Sequence, residues 1–287
     1  MSLKTQVRNE YGKLRSVLLC RPEFFELQPI NEIAKEHLRK GERPDKKRVL
    51  EEHAEFVKAI EEQGVSVVWV EPAKEFPYQV FTRDIGVTTP EGVLLGSFRY
   101  PVRRGEERIA LRALEPNFKL WKEIGSLSGI YFEGGDFIYL NSRMAAVGTG
   151  ARTNAEGARR ISKLLREIGL EVIPVSFEKR YLHLDMVFNV VAEKVAVLCP
   201  EALPENFLKL IRKLNFELIE ETPEGVFKLN CNLLALDSGL LLSPLNNKGV
   251  NRRLKTLGFR VIEVRLEHLL MGGGGPHCLS FPLYREG

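Results

Sequence analysis

Apolar and polar positions repeat in one order along the chain: an apolar run, a turn, a second apolar run, a segment of helical period, then another apolar run. The repeat predicts apolar hairpins starting near Arg15, Val80, Tyr131, His183 and Asn230. Amphipathic segments over Lys46–Glu62, Glu106–Ile124, Thr153–Ile168, Pro204–Leu214 and Asn247–Leu257 separate them. Strand candidates follow at Val65–Val70, Leu170–Val175, Phe216–Ile219 and Phe259–Val264, and the one after Glu106–Ile124 is the least distinct. Five β-β-α-β units describe this better than two unlike domains broken near Gly150, because no Pro/Ser-rich linker divides the chain.

The two ends complete the pattern. Ser16–Leu19 has no hairpin partner nearby, and neither has the final run Leu279–Leu283. Pairing them closes a ring of five units and removes the exposed strand edges that invite aggregation. The expectation is therefore one α/β domain over residues 1–287, a five-bladed pseudo-symmetric propeller of ββαβ units. Phe24–Arg43 is charged and lacks strong apolar period, and is expected to form a lid-like loop over the ring's mouth.

Composition narrows the class. At 287 residues with 44% hydrophobic and 28% charged side chains, the chain can bury a large core. A net charge of +4 from 42 basic and 38 acidic residues is too diffuse for a nucleic-acid footprint, and Arg103-Arg104 and Arg159-Arg160 are pairs rather than patches. No apolar stretch reaches membrane-spanning length and no signal-peptide core follows Met1, so a cytoplasmic protein without membrane or nucleic-acid partners is expected. The composition leaves a homo-oligomer open.

Cys20, Cys199 and Cys231 lie in or beside apolar runs and read as small buried hydrophobes. The cysteines show neither C-x-x-C nor zinc-finger spacing, so neither a metal site nor, in a reducing compartment, a disulfide is expected. Cys278 differs. It follows Gly272-Gly273-Gly274-Gly275-Pro276-His277, where missing side chains let backbone and ligand approach the sulfur. We read it as a nucleophile on a flexible glycine hinge.

Three more motifs occupy matching places in other units: Phe81-Thr82-Arg83-Asp84, expected after the first strand of its hairpin; Phe132-Glu133-Gly134-Gly135-Asp136; and His183-Leu184-Asp185. Equivalent positions of a ring converge on its axis, which brings a thiol, an imidazole and several carboxylates into one cavity. His277 is a rival base, but consecutive strand side chains point to opposite faces, so it is expected to face away from Cys278. His37, His53 and His268 lie among charged residues and are expected to be solvated. Thr153-Asn154-Ala155-Glu156 fits a capping box.

In their order, FTRD, FEGGD, HLD with Phe188, and GGGGPHC resemble the guanidine-modifying superfamily: arginine deiminases, dimethylarginine dimethylaminohydrolases and amidinotransferases, which share a five-bladed α/β propeller. The likeness spans nearly the whole chain. It implies Cys278 as nucleophile, His183 as general acid/base and Glu133 as its acidic partner. It implies Asp84 and Asp185 as carboxylates on the guanidinium, Arg103 and Arg152 as binders of the substrate's α-carboxylate, and no cofactor. Asp136 is read as structural or as support for the substrate site.

The residue types suit that chemistry. Carboxylates form charge-assisted hydrogen bonds with the N–H groups of a planar guanidinium and fix its plane. A thiolate can then attack the central carbon while an imidazole protonates the departing amine. The expected activity is a cysteine-dependent hydrolase acting on arginine or a methylated arginine, giving citrulline plus ammonia or an amine; amidinotransfer and non-catalytic binding are the alternatives. Arginine deiminases carry an arginine where this chain has Gly273, and dimethylarginine hydrolases lack the aspartate at Asp185. Asp185 would crowd methylated nitrogens, which favours an unsubstituted guanidinium.

Overall fold

The computed structural model describes residues 4–115, 117–124 and 129–287. The strands are β1 (Leu14–Cys20), β2 (Ser66–Val70), β3 (Gly86–Thr89), β4 (Gly92–Leu95), β5 (Leu120–Glu123), β6 (Phe137–Asn141), β7 (Met144–Thr149), β8 (Glu171–Ser176), β9 (Phe188–Ala192), β10 (Val195–Leu198), β11 (Glu217–Glu220), β12 (Leu234–Asp237), β13 (Leu240–Pro244), β14 (Arg260–Val264) and β15 (Phe281–Arg285). They form five three-stranded sheets, each an antiparallel pair whose middle strand also takes a parallel third strand. A helix makes each crossover to the parallel strand, as parallel pairing requires.

The last strand completes the first sheet. β15 pairs antiparallel with β1 through Leu14↔Arg285, Val17↔Pro282 and Leu18↔Phe281, while β2 runs parallel on the other side of β1. This is the expected closure, and the five sheets form the pseudo-fivefold α/β propeller.

Two expectations change. The helix starting at Glu106 ends at Leu114, and Leu120–Glu123 is strand, so the Glu106–Ile124 segment holds both elements. Pro116, which lacks the N–H that a continuing helix needs, accounts for the stop. The 24–43 segment is not all loop: Asn31 caps a helix over Glu32–Arg39 by accepting from the Ala34 N–H. Among the described residues no helix is long and apolar enough to cross a membrane.

A short turn precedes the first strand of every hairpin, and these turns are fastened to each other around the ring. Arg83 N donates to Cys278 O at 3.1 Å, and Thr82 Oγ1 lies 3.0 Å from Leu18 O and 3.1 Å from Leu279 O. Leu184 N donates to Asp136 Oδ1 at 3.0 Å, Asn232 Nδ2 to Asp185 O at 3.4 Å, and Cys278 N to Asn232 Oδ1 at 3.1 Å. The remaining junction is steric, because a Cβ on Gly134 would lie 1.9 Å from Gly86 O and 2.2 Å from Arg83 O.

Gly134→Ala should therefore destabilise the protein by about 3 kcal/mol or more, since backbone oxygens cannot give way as a flexible side chain can. Gly239→Ala, where an added Cβ meets nothing within 4 Å, should stay within about 0.5 kcal/mol of the parent. Denaturant midpoints of the two variants check the contrast.

Candidate active site

The five turns deliver side chains to a common buried site. Phe81–Asp84 leads into the turn before β3 rather than following a hairpin strand, and Thr82–Ile85 forms a 3-10 turn. Glu133 immediately precedes the 134–136 turn, and His183 stands at the head of a one-turn helix, Leu184–Val187, that leads into β9. Cys278 lies three residues ahead of β15. The glycine run is no hinge, because Gly272–Gly275 are all buried; Asn31 Nδ2 donates to Gly272 O at 2.9 Å.

Asp84, Glu133 and His183 form one cluster. His183 Nε2 is 2.9 Å from Glu133 Oε2, and its Nδ1 is 3.4 Å from Asp84 Oδ1. Gly135 makes the approach feasible: a Cβ there would come within 2.7 Å of both the His183 ring and Asp84 Oδ1. Burial alone would favour neutral imidazole, but the Asp84 charge and the Glu133 hydrogen bond raise the His183 pKa to about 9. Burial likewise pulls Glu133 upward, yet Arg152 and His183 hold it well below the usual carboxylate range. One oxygen from each carboxylate and a His183 nitrogen lie within 4.8 Å of one another, close enough to surround a cation. Arg152 and His183 already engage Glu133, so a metal would compete with a guanidinium and a ring N–H for the same oxygen.

Asp185 and Cys278 form the second cluster. The Cys278 thiol donates to Asp185 Oδ2 at 3.3 Å and receives Asn232 Nδ2 at 3.1 Å. Burial, then the negative charges of Asp185 and Asp84, push the thiol pKa up, while the Asn232 donor opposes them. Asn232 was not anticipated. It occupies the fifth unit's equivalent of the other site positions, so extending the repeat to that unit would have found it. His277 does not face away: its Nδ1 is 2.8 Å from Asp185 Oδ2. His53 is buried rather than solvated, and burial lowers its pKa to about 4.

The expected carboxylate binders are engaged inside the protein. Arg103 is buried, with donors on Glu106, on Asp84 Oδ2 and on the carbonyls of Tyr78 and Phe81. Glu106, missed by the sequence reading, is raised to about 7 by burial against the opposing effect of Arg103. Arg152 donates to Glu133 Oε2 at 2.9 Å and to Ile30 O at 3.1 Å, and its Nε has no partner. Asp136 holds the turns together by accepting from Thr153 N and Leu184 N, each at 3.0 Å; burial still raises it to about 7. Thr153 serves this junction, leaving the helix cap to Asn154.

Two acceptors near the sulfur remain unpaired. Asp84 Oδ1 and Asp185 Oδ1 are buried without a hydrogen-bond partner, although such groups are costly to leave unsatisfied. Beside Ala151 opens a cavity of about 310 Å³, with Glu32, Lys35, Arg99, Tyr100, Lys179 and Arg180 among its walls. The Tyr100 ring lies 4.6 Å from the Arg152 guanidinium, and Arg99 N donates to Glu133 Oε1 at 3.1 Å. The cavity thus adjoins the residues that hold His183.

Comparison with known proteins shows the family. The family profile described as N,N dimethylarginine dimethylhydrolase, eukaryotic, matches residues 21–285. The uncharacterized protein YkgA of Bacillus subtilis is 30% identical over 282 residues, covering 98% of this chain and 96% of that protein. The N(G),N(G)-dimethylarginine dimethylaminohydrolase of Pseudomonas aeruginosa is 26% identical over 251 residues, 88% of this chain and 93% of the enzyme. The N-terminal domain of ArgZ, an arginine dihydrolase of cyanobacteria, superposes with a TM-score of 0.83 at 24% identity, over 95% of this chain and 98% of that one, which shows the shared fold. The chain belongs to the N,N-dimethylarginine dimethylhydrolase family of the guanidine-modifying superfamily, and is a hydrolase acting on the C–N bonds of linear amidines.

Proposed function

We propose that the protein hydrolyses the guanidinium of L-arginine to citrulline and ammonia, with Cys278 as nucleophile. The observation that carries this reading is the pair of unpaired buried oxygens, Asp84 Oδ1 and Asp185 Oδ1, in the site that holds the Cys278 sulfur. A planar cation with several N–H donors satisfies both and offers its central carbon for attack. Its positive charge also offsets the two carboxylates that disfavour the thiolate.

In the first half-reaction the Cys278 thiolate bonds to the guanidinium carbon. His183, as imidazolium, gives its proton to the departing nitrogen, and the C–N bond breaks to release ammonia and leave an S-alkylthiouronium. In the second, neutral His183 takes one proton from water as the water oxygen bonds to the same carbon; the C–S bond then breaks and returns its electron pair to sulfur, and the remaining hydroxyl proton passes to solvent to leave citrulline. Asn232 Nδ2 steadies the thiolate, and Glu133 keeps the His183 ring oriented. Arg152, with its unpaired Nε, and the cationic wall of the adjoining cavity suit the substrate's α-carboxylate. Arg103 is spent on Asp84 and Glu106, and we assign it to holding Asp84. The 24–43 segment, which supplies Ile30, Asn31 and Lys35 to that cavity, acts as the lid.

Cys278→Ser should abolish turnover while retaining arginine binding, because a hydroxyl cannot supply the anion. Mass spectrometry of acid-quenched wild-type protein should show a covalent adduct on the Cys278 peptide; binding without adduct or turnover would leave a guanidino-compound binding protein.

The raised pKa of His183 sets the pH dependence. The imidazolium needed for the first half-reaction is present below about 9 and is lost as pH rises through that value; at saturating arginine, where the bound guanidinium offsets the carboxylates that disfavour the thiolate, kcat should therefore fall on an alkaline limb near 9. The limb should vanish from the residual activity of His183→Gln, as pH–rate profiles of both proteins will show.

A substrate panel tests the two ends of the site. L-arginine should exceed agmatine, which lacks the carboxylate, by about a hundredfold in kcat/KM, the loss expected for one buried charge-assisted contact. It should also exceed asymmetric dimethylarginine, whose methyl groups block N–H donors to Asp84 or Asp185. Citrulline, ornithine and released amine are scored together; ornithine without citrulline would point to amidino transfer or deeper hydrolysis.

A further inference from the structure

His277 has no part in the reaction just described, yet it lies buried beside the nucleophile between two carboxylates. Its Nδ1 is 2.8 Å from Asp185 Oδ2, the oxygen that accepts the Cys278 thiol. On the other side its Nε2 is 3.7 Å from Glu10 Oε2. Glu10 comes from the N-terminal segment outside the repeat, and its other oxygen, Oε1, accepts from Tyr139 N at 3.0 Å. All of these side chains are buried. The ring thus faces a carboxylate from each nitrogen, through a hydrogen bond to Asp185 and a longer approach to Glu10, where Nε2 has no hydrogen-bond partner.

The charges around this ring belong to several elements. Asp185 reaches it from the turn before β9, Glu10 from the N-terminal segment, and Cys278 is its neighbour in the chain. Arg83, from the turn before β3, donates its Nε to the His277 carbonyl at 3.3 Å and places Nη1 3.9 Å from Glu10 Oε2. Arg285, from β15, lies buried near Glu10 and Arg83. Two carboxylates thus face the imidazole, while the nearest guanidinium is directed at Glu10 and at a carbonyl.

We propose that His277 is a positioning residue that acts on Cys278 through Asp185: the cationic ring fixes Oδ2 of Asp185 and screens its charge from the sulfur, leaving Oδ1 for the guanidinium. Without it, Asp185 would stand as an unshielded anion 3.3 Å from a group that must itself become an anion. The two flanking carboxylates bear its mark. Burial raises Asp185, but the hydrogen bond and charge of His277 leave it lowered. Burial raises Glu10 as well, and His277 and Arg83 together hold it at about 2. The proposal rests on the preceding section only in taking Cys278 as the nucleophile; its test needs no substrate.

The Cys278 thiolate is titrated by ultraviolet absorbance, with Cys278→Ser as the blank. His277→Asn keeps a donor for Asp185 and removes the charge, so the thiolate midpoint should rise by at least about one pH unit. Glu10→Gln separates relay from direct electrostatics. Removing a nearby anion would by itself lower the midpoint, whereas loss of the partner that holds His277 cationic should raise it. With arginine, His277→Asn should lower kcat at neutral pH at least about tenfold, with a smaller change in KM. An unchanged midpoint in His277→Asn, or a fall in Glu10→Gln, overturns the proposal, and if one variant fails to fold the other decides alone. Should wild-type protein turn over no guanidino compound, the reaction class above would fall while the titration still judges His277.

Discussion

Burying a carboxylate without a partner is prohibitively costly, and this constraint organises the site. Glu10, Asp84, Glu106, Glu133, Asp136 and Asp185 are all buried. Most of their oxygens meet a cation or a backbone N–H: Glu133 takes Arg152 and His183, Glu106 takes Arg103, and Asp136 takes two amides. Two of the oxygens, Asp84 Oδ1 and Asp185 Oδ1, have no hydrogen-bond partner, although the first lies 3.4 Å from His183 Nδ1. In the proposed reading, a guanidinium substrate would supply the donors that these two oxygens lack.

Arginine therefore appears in two roles. The internal guanidinium of Arg103, gripped by Asp84 and Glu106 and lying 4.4 Å from the Phe98 ring, shows how carboxylates and an aromatic face accommodate such a cation. The proposed substrate site would offer a comparable pair of carboxylate oxygens, Asp84 Oδ1 and Asp185 Oδ1. Tying Asp84 to Arg103 through Oδ2 also orients the oxygen that remains, which is why Arg103, first read as a substrate binder, is assigned in the proposed reading to holding Asp84.

Ring closure makes these contacts possible. The residues that must meet are as far apart in sequence as Glu10 and His277, or Asp84 and Cys278, and every junction around the axis is a hydrogen bond or a glycine-sized contact between successive turns. The closing β1–β15 pair also seats Cys278, since the thiol stands three residues before β15.

The periodic alternation of apolar runs and amphipathic segments determined the five units, because burying one face of each sheet and helix demands that pattern wherever the chain folds. The motifs FTRD, FEGGD, HLD and GGGGPHC were legible for the same reason: each opens a hairpin at the same point of the repeat. What pattern could not determine is which partner a buried charge takes. That depends on distances of a few ångströms across the ring, where Arg103 turned to Glu106 and Asp84, and His277 to Asp185 and Glu10. Asn232 shared the repeat but carried no charge to draw notice, and Glu10 lay outside the repeat altogether. Local periodicity is written in neighbouring residues, whereas charge pairing is settled only when distant turns converge on one axis and compete for the same donors.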